Sequence, residues 1–437
     1  MKIFSSIGLQ SPTILLPNPK VNLTRWAVVA CDQFTSQPDY WKSVEELVED
    51  APSTYHMILP EAYLGTTKEE KHASKVFSTM QAYLQKDIFR EADGFVLVER
   101  IFENNTRRGL LAALDLESYD YQRDSKSLTR ATEGTIIDRL PPRIAIRENA
   151  ALEIPHIMVL IDDPHMTVIE PIAEKMQESH SLYDFDLMQG GGHIKGTLVN
   201  SEFNQKIVNA LEELKSPQTQ KKKYQTALDT PPLLYAMGDG NHSLATAKAI
   251  WEKNKMHLPE NHPSRFALVE LVNLHDPSIE FEAIHRLVKH RGIDLLRSCD
   301  SFFNSQISVS QCTDYQEMTD RIETSQDSII PFGLFFNDRY YFIKVTKPLH
   351  TLAVGNVQLW LDHILQEEQI EAIDYIHGND TINALGRQNG YAGIYLPAMP
   401  KNALFKSVIK DGPLPRKTFS MGEAHQKRYY LECRKII

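Results

Sequence analysis

The sequence predicts an α/β or α+β protein of mixed β-sheets covered by helices, arranged as two lobes with a cleft between them. Three observations carry that expectation. Short apolar runs that suit buried strands, at residues 26–31, 157–161 and 266–272, alternate with amphipathic stretches of helical period. Other runs pair around polar turns: 94–100 with 108–115 about Asn104-Asn105-Thr106, and 332–336 with 339–345 about Asn337-Asp338. The length, 437 residues, is more than a single core ordinarily organises.

Taken in order, the strand at 26–31 leaves through the polar exit Asp32-Gln33-Phe34-Thr35-Ser36, the kind of place where open α/β sheets seat ligands. A helix is expected from Pro38 to Asp50. A second follows the capping-box pattern Thr67-Lys68-Glu69-Glu70, with Val76, Phe77, Met80, Tyr83, Leu84 and Ile88 on one face. After the first hairpin, residues 128–147 carry Arg130, Arg139, Arg143 and Arg147 around Glu133-Gly134-Thr135. In a chain of net charge −10 these read either as an anion clamp or as a charged helix surface. The strand at 157–161 ends in Asp162-Asp163, a pair that suits Mg2+ or, more simply, a turn and helix cap.

Gly190-Gly191-Gly192, followed by His193 and Lys195, suits a backbone nest for an anion or a tight hairpin. Residues 216–232 read as a linker or a solvated helix. They divide an N-terminal α/β lobe, 1–215, from a C-terminal α/β lobe, 233–437.

The most informative stretch is 233–251. An apolar run ends in Gly238-Asp239-Gly240-Asn241-His242, and Ser243 opens an Ala- and Lys-rich helix. A glycine turn into a helix N-terminus places unpaired N–H groups and the positive end of the helix dipole at one spot, and glycine lets a ligand approach. Asp239 is the candidate metal ligand or base, and His242 the candidate proton shuttle. The plainer alternative is Asn and Asp as turn formers with His242 as a cap. His285-Arg286, a polar pair inside the apolar run 281–288, suggests a ligand or a carboxylate partner.

Together these motifs resemble the bacterial and archaeal family called domain of unknown function 1015. Its Asp-Gly-His-His-Arg loop corresponds to Asp239-Gly240-Asn241-His242-Ser243 here, and its Thr-His-Arg tract to Ile284-His285-Arg286. Its His-Glu-x-Thr segment with a following arginine corresponds to Thr132-Glu133-Gly134-Thr135 and Arg139, and its Lys-Ser-Thr tract to Lys417-Thr418-Phe419. Asn241, Ser243 and Thr132 depart from that pattern. The Asp-Gly-x-His loop is also similar to the phosphate-binding loop of the ParB and sulfiredoxin superfamily, which includes ATP- or ADP-dependent kinases of free serine.

That resemblance implies a nucleotide- or phosphometabolite-binding enzyme, a small-molecule phosphotransferase using ATP or ADP and Mg2+. The alternatives are a non-catalytic anion or nucleotide sensor and a metal-dependent hydrolase using His193, His242, His285 and Asp239. Acidic net charge argues against general nucleic-acid binding. No apolar run approaches a membrane span, and the four scattered cysteines form no Cys-x-x-Cys, so a cytoplasmic chain with reduced thiols is expected. A small-molecule partner is expected, and a homo-oligomer is compatible with the sequence.

Overall fold

The hairpin about residues 104–106 seeds the larger sheet. Val96–Phe102 and Asn105–Asp115 pair antiparallel, and Phe266–Asn273 lies on the other side of Asn105–Asp115. All eight residues of Phe266–Asn273 are buried, as expected of a central strand covered on both faces. The sheet runs Ser181–Asp186, His193–Leu198, Val96–Phe102, Asn105–Asp115, Phe266–Asn273, Met158–Ile161, Tyr235–Asp239, Thr129–Arg130, Tyr119–Asp120. It is mixed: Met158–Ile161 runs parallel to Phe266–Asn273 and antiparallel to Tyr235–Asp239. The computed structural model describes residues 2–134, 140–176, 179–325 and 330–437.

Strand period two sorts the core into two layers. Leu97, Leu110, Ala112 and Leu114 join Val159, Met237, Leu244 and Trp251. Val96, Val98 and Leu111 join Trp26, Trp41, Tyr429 and Leu431. Each fully buried Leu or Val contributes about 1.5–3 kcal/mol relative to exposure. The helix Asn241–Asn254 belongs to the first layer, so the element that follows the Asp-Gly loop is anchored on the sheet.

The chain forms two compact units, Met1–Ile279 with Gly422–Ile437, and Glu280–Met421. This differs from the expected division at 216–232. Tyr235–Asp239, which was to open a second lobe, is hydrogen-bonded inside the first unit's sheet. The expected linker contains the helix Pro217–Tyr224, capped by the Ser216 side chain, and Gln220 within it is buried. Two smaller expectations also change. Residues 26–31 are a short helix, Leu23–Trp26, followed by the strand Val28–Val29, because Asn22 caps the helix. The helix Lys68–Gln85 has no side-chain cap at Thr67. Glu69 accepts the Gly65 N–H at 2.6 Å instead.

In the second unit an antiparallel sheet runs Ile307–Cys312, Arg339–Val345, Ile330–Phe336, Tyr391–Tyr395, Phe281–His290, Ile370–His377. Phe419–Met421 pairs with the start of Phe281–His290. The hairpin about Asn337-Asp338 forms as expected, both residues at positive φ. Gly393 lies directly under Phe335: a Cβ there would sit 2.1 Å from the Phe335 Cζ atom. Phe335 is fully buried and cannot swing away. Gly393→Ala is therefore expected to destabilise the unit by about 1–3 kcal/mol through overpacking. Denaturant unfolding should show a lower midpoint, and an unchanged midpoint would mean the sheet and ring separate freely there.

Candidate functional site

The strand Tyr235–Asp239 is held by two side-chain bonds as well as by its ladder. Tyr235 donates its hydroxyl to the Ile7 carbonyl at 2.9 Å, Thr132 donates to the Met237 carbonyl at 2.7 Å, and Met158 pairs with Asp239. Gly240 then takes φ +81°, a left-handed conformation, and a Cβ there would lie 3.0 Å from the Ile157 Cα. Only glycine meets both demands.

Gly240 is also the cap of the helix Asn241–Asn254, so no side chain occupies the helix end. The first helical bond runs from Leu244 N–H to the Gly240 carbonyl, leaving the amides of Asn241, His242 and Ser243 ahead of the ladder. Asp239 Oδ1 accepts the Gly240 N–H at 2.9 Å, and Oδ2 faces Lys427 Nζ at 3.8 Å. Asn241 Oδ1 is buried with no donor among the described residues.

Residues from three other parts of the chain gather here. Ser243 Oγ lies 3.5 Å from His156 Nε2, and Tyr430 holds His156 Nδ1 at 2.9 Å. His156 Nε2 is 3.9 Å from Asp32 Oδ2. Burial pushes the Asp32 carboxyl up, but His156, the Gln33 amide, a backbone bond and Lys427 together hold it below its ordinary value. Tyr430 also donates to Cys31 Sγ at 3.1 Å. Burial, with Asp32 adding to it, pushes the Cys31 thiol up to about 12, so it stays protonated and is no nucleophile. Arg143 is ion-paired with Glu61, whose backbone N–H bonds the Cys31 carbonyl, and the helix Leu140–Arg147 packs on Asn241–Asn254.

The structure therefore joins Gly238, Asp239, Gly240, Asn241, His242 and Ser243 to Asp32, His156, Lys427 and Tyr430, with Arg143 and Glu61 alongside Cys31. Glu133 follows Thr132, which bonds Met237, and is half-buried. Thr135 and Arg139 lie outside the described residues. Among the described residues no three His, Cys, Asp or Glu side chains gather to hold a metal ion.

The glycine triplet is elsewhere. Gly190, Gly191 and Gly192 turn the hairpin between Ser181–Asp186 and His193–Leu198. Register puts Asp239 level with Met158, Glu270, Leu111, Val96 and finally Leu198, at the far end of the strand that His193 begins. The two strands are five positions apart in the sheet order. The glycines answer packing: Cβ atoms at Gly191 and Gly192 would lie 2.3 Å from the Tyr429 hydroxyl and the Ile101 carbonyl. His193 is clasped on both ring nitrogens, by Asp186 at 2.7 Å and Asp184 at 2.6 Å. Lys195 sits in register between Glu99 and Asp184. The Asp162-Asp163 pair takes its turn role, with Asp163 accepting the Thr167 and Val168 N–H groups and Asp162 bonded to His275, Tyr224 and Lys223.

His285 and Arg286 belong to the second unit and find protein partners there. Arg286 bonds Gln358 and the carbonyls of Ile284, Arg416 and Lys417. His285 Nδ1 accepts the Leu396 N–H at 3.2 Å, so the neutral ring carries its proton on Nε2 and donates it to Asn379 at 2.9 Å.

Asp32, His156, Lys427 and Tyr430 had no strong local signal. Only the polar exit at residue 32 pointed to any of them, and the rest are placed by strand register.

A family model matches residues 13–373, most of the chain. The protein belongs to the family described as protein of unknown function DUF1015. No curated protein matches this DUF1015 chain. Solved structures similar to it include a free serine kinase in complex with AMP (10% identity, 77% of this chain and 95% of that chain, TM-score 0.39). A conserved hypothetical protein from Pyrococcus furiosus is also similar (10% identity, 75% and 96%, TM-score 0.36). So is a C-terminally truncated SbnI from Staphylococcus aureus (11% identity, 73% and 85%, TM-score 0.36). Likeness this loose bears on neither ligand nor reaction. Among the described residues no helix is long and apolar enough to cross a membrane.

Burial pushes the His285 imidazole down to about 4, with Arg286 and His377 adding to it against the Asn379 bond. The folded value lies below the unfolded one, about 6.5, so the unfolded chain takes the proton first. His285 therefore gives its full stabilisation above that pH, and loses it as pH falls toward 4. Urea midpoints measured at pH 7, 5.5 and 4 should fall for the natural chain and fall less for His285→Gln. Equal falls would assign the acid sensitivity to another group.

Proposed function

We propose that this DUF1015 protein binds a nucleotide or phosphorylated metabolite at the Asp239–Ser243 loop and transfers a phosphoryl group to a small molecule. One observation carries the reading. A helix N-terminus opened by left-handed Gly240, without a side-chain cap, faces a half-buried set of Asp32, Asp239, His156 and Lys427. Phosphoryl transfer asks for donors on the non-bridging oxygens, a positive charge beside them and a base near the acceptor hydroxyl. The amides of Asn241, His242 and Ser243 and the Lys427 ammonium suit the first two tasks. His156, its Nδ1 held by Tyr430, presents Nε2 to Ser243 and suits the third better than His242 does.

Asp239 and Asp32 suit Mg2+, which ordinarily takes one or two carboxylates together with substrate phosphates. When bound, the ion would supply further charge neutralisation on the phosphate. Both carboxylates already feel Lys427, one cation between two anions.

A second reading, a non-catalytic anion or nucleotide sensor, is favoured by Asp239 already engaging Gly240 and Lys427 through its two oxygens. The hydrolase reading loses ground, because carboxylates take both His193 nitrogens and protein groups take both His285 nitrogens.

The test is paired. The full chain is incubated with ATP or ADP, Mg2+ and pooled metabolites, and turnover and binding are followed for the natural chain and Asp239→Asn. Asparagine keeps the size and much of the hydrogen bonding, so melting should shift little, by about 1 kcal/mol at most. Turnover should fall on the order of 10²-fold or more. Binding without turnover selects the sensor. A variant that melts far below the natural chain yet keeps its ligand response makes Asp239 scaffold and sinks the proposal.

A further inference from the structure

Arg100 and Arg107 stand directly opposite each other across the strands Val96–Phe102 and Asn105–Asp115. Only 1% and 4% of their surface is exposed. Like charges facing each other across a ladder repel, and a buried charge is costly unless it is paired. Here the hydrogen bonds go to uncharged carbonyls: Arg100 to His425 at 3.0 Å and His193 at 3.5 Å, Arg107 to Gln426 at 2.9 Å. The Nε–H of each is buried with no acceptor among the described residues.

The carboxylates nearby are engaged with another guanidinium. Arg428 ion-pairs with both Glu270 and Glu432, and Tyr183 donates to Glu432. Glu270 Oε1 bonds to neither Arg100 nor Arg107. Asp276 and Asp239 also attract Arg107, and Asp276 accepts the Arg108 N–H and the Ser278 hydroxyl. Three guanidiniums (Arg100, Arg107, Arg428) thus share two glutamates. Burial, with Arg107 beside it, pushes the Arg100 guanidinium down to about 9, a measure of how poorly its charge is compensated.

We propose that Arg100 and Arg107 form an anion-binding site whose ligand is a phosphoryl group. Two guanidiniums present two planar forks, and a tetrahedral dianion can accept from both where a carboxylate fills one. The 3-10 turn Ala424–Gln426 supplies the two carbonyls now in place. Entry of the ligand exchanges those neutral acceptors for charged ones. The phosphoryl group belongs either to free phosphate or to a nucleotide. The nucleotide case rests on the function proposed above, and the free-phosphate case does not.

The experiment is calorimetric titration of the full chain at constant ionic strength, with inorganic phosphate in one arm and ADP in the other. Saturable phosphate binding is expected, weakened at least tenfold in Arg107→Gln and unchanged in Arg108→Gln. Arg108 is the more exposed neighbour, paired with Glu99. Should Arg107→Gln fail to fold, Arg107→Lys and Arg100→Lys keep the charge but remove the fork, and the same weakening is expected. ADP binding that falls with Arg107 places the phosphoryl group of a nucleotide here. A loss confined to the phosphate arm assigns the site to the free anion. If Asp239→Asn turns out to be scaffold, phosphate binding that still depends on Arg107 supports this site on its own. Binding of neither phosphate nor ADP by the natural chain, or equal affinity in Arg107→Gln for whichever binds, overturns the proposal.

Discussion

The first unit depends on one buried ion cluster. Arg428 bonds Glu270 in the central strand and Glu432 four residues further on, and the side chains of all three are at most 2% exposed. Breaking a buried pair by removing one partner costs about 3–5 kcal/mol, against a total stability of about 5–15 kcal/mol for a domain. The cluster fixes where the chain re-enters the unit after leaving it at Ile279. Arg434 bonded to Glu153, and the paired backbones of Leu15 and Cys433, carry the same segment to its end. Such pairs fix position more than they add stability, and here the position matters: Lys427 and Tyr430 flank Arg428 on the same short run. Tyr429 and Tyr430 also pair with Val29 and Val28 in the ladder that leads to Asp32.

What is local in this chain is legible in its sequence. Both hairpins follow from period-two runs around turn residues, and the helix after the Asp-Gly loop follows from composition. The division into units is not local. The first unit's large sheet interleaves strands from residue 3 to residue 273, the return from residue 422 pairs in two small ladders with Val28–Val29 and Leu152–Glu153, and no composition shift marks that path. Residues 216–232 look like a linker because they are polar. Yet Gln220 is buried and bonds the carbonyls of Leu214 and Leu233, so polarity there is spent inside the fold.

The site divides in the same way. Asp239 to Ser243 are concentrated in five consecutive residues, and a strand, a glycine and a helix start can be read directly. His156 sits alone before an apolar strand, and Lys427 and Tyr430 lie in a tail without evident periodicity. They meet the loop because Met158 pairs with Asp239 and Tyr430 with Val28. The glycine triplet is local too: its density suits an anion nest or a tight hairpin, and the hairpin forms with the Tyr429 ring and the Ile101 carbonyl pressing on Gly191 and Gly192. His285 and Arg286 show that a polar pair in an apolar run can be answered by amides, carbonyls and an aromatic ring.

The cap of the helix Asn241–Asn254 shows how packing and an open helix end are reconciled in one residue. Asn, Asp and Ser are the favoured caps because their side chains accept the first helical N–H groups. Asp239 stands one position too early and spends Oδ1 on Gly240. Glycine in the cap position costs only a few tenths of a kcal/mol against those residues. Leu244, Ala247 and Trp251 recover far more than that by anchoring the helix in the core. The left-handed turn beside Ile157 admits no side chain in any case. Packing therefore dictates glycine, the core makes its cost negligible, and the helix end keeps its dipole turned toward Asp32, His156 and Lys427 with no cap side chain in the way.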